Sequence, residues 1–151
     1  MNFTPNHLSA SNLSYIFSAV SINAEAGNDY CIVRNEIISS VCIDREQNTL
    51  QFVSHISVFN LNDKETSQLV SNLNNEIDLL KITYDSFTNP DGSRDISFFY
   101  GHVIFSDDSI SPINIIKLHS MFERLVYDAS YLCREASLSK NLNKKAHNLN
   151  G

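Results

Sequence analysis

His119 and Glu123 stand four residues apart in a segment of helical periodicity, so they share one helix face and are the first pair in this chain able to do chemistry. A metal site needs three or four convergent ligands. Local spacing offers no third ligand to this pair, and the chain has no H-E-x-x-H sequence. His55 and His102 fall in extended segments and could meet only through folding. Ordinary surface or half-buried histidines account for all of them, and the sequence assigns no metal residue.

Nucleophilic catalysis asks for a Ser or Cys beside a base. No G-x-S-x-G elbow is present, and none of Cys31, Cys42 and Cys133 has a histidine near it in sequence. The adjacent carboxylates Asp107 and Asp108 follow a strand and read as a turn leading into a helix cap. Asp91-Gly92-Ser93-Arg94-Asp95 resembles a calcium loop only loosely, lacking the alternating ligands and closing Glu of an EF-hand. It reads as a hairpin turn. Four scattered glycines cannot build a phosphate-cradling loop. No catalytic, cofactor-binding or metal residue is therefore assigned, and no cofactor is expected.

Charge narrows the partners. The chain has 151 residues and a net charge of −6. Its last stretch holds Lys140, Lys144 and Lys145 and no acid, so the body before it is more acidic still. An acidic body repels phosphate backbones, which argues against nucleic acid as a partner. The start of the chain has no basic segment followed by an apolar run, and no stretch approaches the ~18–20 apolar residues that span a bilayer. Three cysteines without C-x-x-C spacing, each among apolar neighbours, read as reduced and buried. The expectation is a cytoplasmic protein that does not enter a membrane.

The elements that would position these residues follow from apolar spacing. Thr4-Pro5 starts a helix and Leu13, Ile16, Phe17 and Val20 supply its apolar stripe, giving a helix over 5–22. Tyr30–Val33, Ile37–Ile43 and the alternating Leu50, Phe52, Ile56 and Val58 predict three strands. Asn62 with Glu65 three residues on opens a second helix over 62–77. Leu80, Ile82 and Tyr84 alternate, Asn89-Pro90-Asp91-Gly92 turns, and Ile96–Phe105 returns as a long strand. Ser111-Pro112 opens a closing helix to residue 136. Its apolar positions Ile115, Leu118, Phe122, Leu125, Ala129, Leu132 and Ala136 form a heptad-like seam. The order is α-β-β-β-α-β-β-α: an α+β domain over 1–136 with a five-stranded antiparallel sheet flanked by helices. Residues 137–151 read as a polar, weakly basic, disordered tail.

Within this scheme the strand Ile96–Phe105 is apolar toward both faces of its sheet. One face meets helices, and the other needs cover from a further helix or from a partner. Phe99, Val103 and Phe105 are the candidate interface residues there. On the closing helix Met121, Val126 and Cys133 add a second apolar stripe beside the seam. A helix apolar over so much of its circumference asks for a second packing surface. Met121, Leu125, Val126 and Leu132 are therefore candidates for contact with a second copy of the chain.

The element order and its joints resemble the YbjN-like family, small bacterial proteins described as proposed sensory transduction regulators. The joints are Thr4-Pro5, the polar hairpin at Asp44-Arg45-Glu46, the helix Val70-Ser71-Asn72-Leu73-Asn74-Asn75-Glu76, and Gly101–Phe105 running into Ser111-Pro112. The resemblance covers residues 4–133. It implies the fold shared with class I type III secretion chaperones, frequent dimerisation, and a binding or regulatory activity. It carries over no functional residue. The sequence thus points to a non-enzymatic, chaperone-like binding or regulatory module, a homodimer holding a protein or peptide. The alternative is a small ligand-binding protein or enzyme with a pocket between sheet and helices, lined by His102, Tyr100 and His119.

Overall fold

The computed structural model describes residues 1–149. Among them six strands form one antiparallel sheet in the order β1-β2-β3-β4-β6-β5. The strands are β1 Asn23–Ala26, β2 Tyr30–Arg34, β3 Ile38–Asp44, β4 Thr49–Val58, β5 Lys81–Tyr84 and β6 Arg94–Val103, with helices α1 Ala10–Ser18, α2 Asp63–Glu76 and α3 Pro112–Leu149. The α+β class and antiparallel sheet are as expected, with one strand more than the five predicted. The additional strand is β1, whose Asn-Ala-Glu-Ala carries no β-branched or aromatic residue and stays largely exposed. Backbone pairing places it, Asn23 to Ala26 against Arg34 to Cys31, and the Ser14 hydroxyl of α1 donates to the Ala24 carbonyl at 3.0 Å. The chain groups into two compact units, one of residues 1–54 with 99–124, the other of residues 55–98 with those from 125 on.

In the first unit the predicted helix over 5–22 is shorter and starts later. Pro5–His7 makes a single 3₁₀ turn in which Thr4 provides no side-chain cap. Ser9 caps α1 instead, its hydroxyl accepting from the Asn12 N–H at 3.2 Å. Leu13, Ile16 and Phe17, at i, i+3 and i+4, turn the buried face of α1 toward β1, β2 and β3. In the strands, Cys31 and Val33, then Ser39 and Val41, then Leu50, Phe52 and Ser54 alternate inward. The register sets Val41 against Phe52 and Ser39 against Ser54. Asp44 turns β3 into β4 by accepting the N–H groups of Glu46 and Gln47 at 3.0 and 3.1 Å. The Arg45 guanidinium donates to the carbonyls of Asn6 and Leu8 at 3.0 and 2.9 Å, fixing the leading segment.

In the second unit α2 begins as predicted: Asn62 Oδ1 accepts from the Glu65 N–H at 2.9 Å. Val70 and Leu73 give it a buried face. Asn74 then acts as a strand partner. Its amide donates to the Ile82 carbonyl at 2.8 Å and accepts the Ile82 N–H at 2.9 Å, fastening α2 to β5. The Asn89–Gly92 turn forms as the sequence indicated. Gly92 takes φ +84, and Asp91 accepts from the Ser93 N–H at 2.9 Å and its hydroxyl at 2.6 Å, which lowers the Asp91 pKa.

The closing helix departs from the expected end at residue 136. No Gly or Pro interrupts the sequence between Pro112 and Gly151, so nothing stops a helix once started. α3 continues to Leu149, where a disordered tail was expected from 137 on, and Lys140 pairs with Glu65. Residues 150 and 151 of that tail lie outside the described residues.

Candidate functional site: a bare sheet face, a cleft and a buried polar cluster

The first unit has an uncovered sheet face. With Cys31, Val33, Val41 and Phe52 turned inward, Ile32, Ser40 and Val53 stand in a row on the opposite side. Tyr30 and Ile38 flank that row and are exposed. On β6 the inward Tyr100 ring lies 5.8 Å from that of Phe52, which turns Phe99 and Val103 outward. Phe99 is 36 % exposed, Val103 52 % and Phe105 69 %. Between them, Gly101 lets the Thr49 methyl pack close: a Cβ there would come within 3.0 Å of it. The result is a largely apolar surface, with Ser40 within it, built from strands whose other side is the core.

The same unit carries a cleft of about 570 Å³ beside the start of α3. Ser111 caps this end of the helix, accepting from the Asn114 N–H at 3.2 Å. Lys117, Leu118 and Met121 form one wall, and His102, Asp108 and Ile110 form much of the other. His102 lies at the cleft. His119, expected to line a pocket with it, sits instead in the core, and Tyr100 stacks on Phe52.

His119 anchors a polar cluster that local spacing could only half reveal. Its Nε2 is 2.9 Å from Ser39 Oγ, and its Nδ1 faces Glu123 Oε1 at 3.4 Å without the geometry of a hydrogen bond. Glu123 accepts from Asn35 Nδ2 at 2.8 Å and from the Ile37 N–H at 3.2 Å. The carboxylate favours a proton on Nδ1, leaving Nε2 to accept the Ser39 hydroxyl. The Phe17 and Phe52 rings lie 4.9 and 6.2 Å from the imidazole. Burial pushes the His119 pKa down, and the nearby Glu123 partly opposes this. The order Ser–His–Glu is that of a catalytic triad. Yet Ser39 is 2 % exposed, His119 0 % and Glu123 5 %, so a substrate has no approach and the group serves as a clamp between α3 and the β2–β3 turn.

On α3 the buried positions are Ile115, His119, Phe122, Glu123, Val126, Ala129 and Cys133. The predicted seam residues Leu118, Leu125, Leu132 and Ala136 are only half-buried, as is Met121. Val126 is wholly covered within one chain, so any second surface on this helix is made by the others. In the second unit His55 Nδ1 is 2.7 Å from the Ser97 hydroxyl. Cys31 and Cys133 are buried, Cys42 is half-buried, and all three are free. Burial raises each thiol, Cys133 to about 11. Among the described residues no helix is long and apolar enough to cross a membrane.

This architecture is the YbjN-like α+β fold. The chain superposes on the crystal structure of YbjN, a proposed transcription regulator from E. coli, with a TM-score of 0.65 at 11 % identity, covering 88 % of this chain and 94 % of that one. An uncharacterised protein from Methanothermobacter thermautotrophicus gives a TM-score of 0.60 at 9 % identity, covering 86 % and 99 %. At such identities the likeness is one of fold. No family model matches the sequence, and no curated protein matches it.

Proposed function

We propose that the chain is a non-enzymatic binding or regulatory module, cytoplasmic and chaperone-like, which holds a protein or peptide partner and works as a homodimer. The observation that carries this reading is the exposure of Phe99 and Val103 on β6 and of Phe105 just after it, on a sheet whose same face carries Tyr30, Ile32 and Val53 on β2 and β4. Apolar side chains left in water on one face of a sheet are the usual mark of an interaction surface. The fold shared with a proposed transcription regulator agrees with a binding or regulatory role. For the homodimer, Leu125 and Leu132 on α3 offer half-exposed apolar side chains.

A photo-crosslinking residue placed at Val103 in the native cell tests the partner surface, with Tyr15 on α1, also exposed, as the control position. Discrete polypeptide adducts at Val103 that vanish on Phe105→Glu support the reading. Equal adducts from both positions, or none from Val103, overturn it. Sedimentation tests the homodimer: Leu132→Glu shifts a dimer toward monomer, and a wild-type chain that is monomeric at tens of micromolar excludes it.

A further inference from the structure

The cleft beside the start of α3 carries a second inference, at a site that shares only Val103 with the partner surface. Its lining includes buried Ile110 and half-buried Leu118 and Met121, together with an exposed ammonium on Lys117 and an exposed carboxylate on Asp108. The two charges share one cleft without pairing with each other, and among the described residues neither is taken up by another ion pair. The imidazole of His102 lines the same space. A volume of about 570 Å³ is that of a small-molecule site.

We propose that this cleft binds a free α-amino acid with an apolar side chain. The charge pattern decides among ligand classes. A simple apolar carboxylate would gain Lys117 but set its own charge against Asp108. An apolar amine would gain Asp108 and be repelled by Lys117. A zwitterion satisfies both at once, with its carboxylate toward Lys117 and its ammonium toward Asp108. Its side chain then lies on Ile110, Leu118 and Met121, where burying an aliphatic or aromatic group adds affinity and a polar one would be desolvated without a partner. An unpaired acid and base beside an apolar lining discriminate by what they repel as much as by what they attract.

The test is an NMR amide-shift titration of the full chain with L-leucine, L-phenylalanine, L-serine, N-acetyl-L-leucine and L-leucinamide. The proposal expects leucine and phenylalanine to shift amides between Ile104 and Met121 in a saturable way. It expects serine, the acetylated form and the amide each to bind about tenfold more weakly or worse, as loss of one charge-assisted or apolar contact dictates. Asp108→Asn weakens leucine at least about fivefold while leaving N-acetyl-leucine unweakened, and Lys117→Met does the same for leucine against leucinamide. Both positions are exposed, so the variants fold and their spectra report it. No saturable shift with any probe, N-acetyl-leucine binding as tightly as leucine, or leucine binding unchanged in both variants overturns the proposal.

Discussion

Truncating Glu123 to Ala is the sharpest probe of how α3 is held in the first unit. The change removes a carboxylate that accepts the Ile37 N–H at 3.2 Å and the Asn35 amide at 2.8 Å and faces His119 Nδ1 at 3.4 Å. Asn35 is exposed, and water replaces its partner at little cost. The Ile37 N–H is half-buried and loses a bond to a charged acceptor, a contribution of about 1.5–3 kcal/mol. His119 Nδ1 makes no hydrogen bond to Glu123 and loses only the nearby carboxylate at 3.4 Å, a further contribution of at most about 1 kcal/mol. Against these stands relief from holding a carboxylate in a dry site. The net expectation is a loss of about 1.5–3 kcal/mol for Glu123→Ala. Glu123→Gln retains an acceptor for Ile37 and should lose only about 1 kcal/mol. Arg124→Ala, exposed on the next position, should stay within about 0.5 kcal/mol of wild type. Urea unfolding reads all three through the midpoint at constant slope. A Glu123→Ala loss below about 0.5 kcal/mol, or equal losses for Ala and Gln, would refute the clamp.

Burial holds the His119 pKa below its ordinary 6.5, with Glu123, Ser39, Phe17 and Phe52 as its neighbours. The folded state thus favours the neutral ring, and the unfolded state binds its proton first as the pH drops. Stability is full above about 6.5 and is lost as the pH falls toward the lowered folded value, a slope that His119→Asn should flatten in urea midpoints taken from about pH 7.5 to about pH 5. If the wild type and the variant share one pH profile, the ring does not titrate as described. Asn74→Ala removes both hydrogen bonds to the Ile82 main chain and should cost about 1–2 kcal/mol by the same assay, whereas Asn75→Ala should cost almost nothing. In the native protein, a thiol reagent at about pH 8 should modify half-buried Cys42 first and Cys133, raised to about 11, last; simultaneous modification of all three would count against the burial assigned to them.

What the sequence made legible was whatever a local stretch decides for itself. Asn62 capping onto Glu65, the Asn89–Gly92 turn and the Ser111 cap before Pro112 all depend on residues within four positions of one another. β1 escaped notice because Asn23-Ala24-Glu25-Ala26 makes strand by lying against β2, and no side chain of its own announces it. The start of α1 moved for a comparable reason. Thr4 looked like a cap, but its carbonyl closes a short turn by accepting from His7 and Leu8, and buried Leu8 forces the chain to begin again at Ser9.

The candidate sites divide along the same line. The i, i+4 spacing put His119 and Glu123 on one face, but Ser39 is eighty positions from His119 and arrives only through the sheet. The cleft likewise needs Asp108 and Lys117 to be set around Ile110 and Leu118 by a loop whose path no period describes. β6 is the instructive case. Its alternation predicted two apolar faces, and both exist, yet period two is blind to which of them the helices take. That choice rests on Val33, Val41 and Phe52 facing inward on the neighbouring strands, where α1 supplies Phe17 and α3 supplies Phe122 around His119. Once that side is filled, Phe99 and Val103 fall on the other, where they stay 36 % and 52 % exposed, more open than one chain's own packing asks of apolar side chains. An apolar side chain that folding covers only in part, such as Val103, is the residue type whose replacement by Glu separates binding from folding.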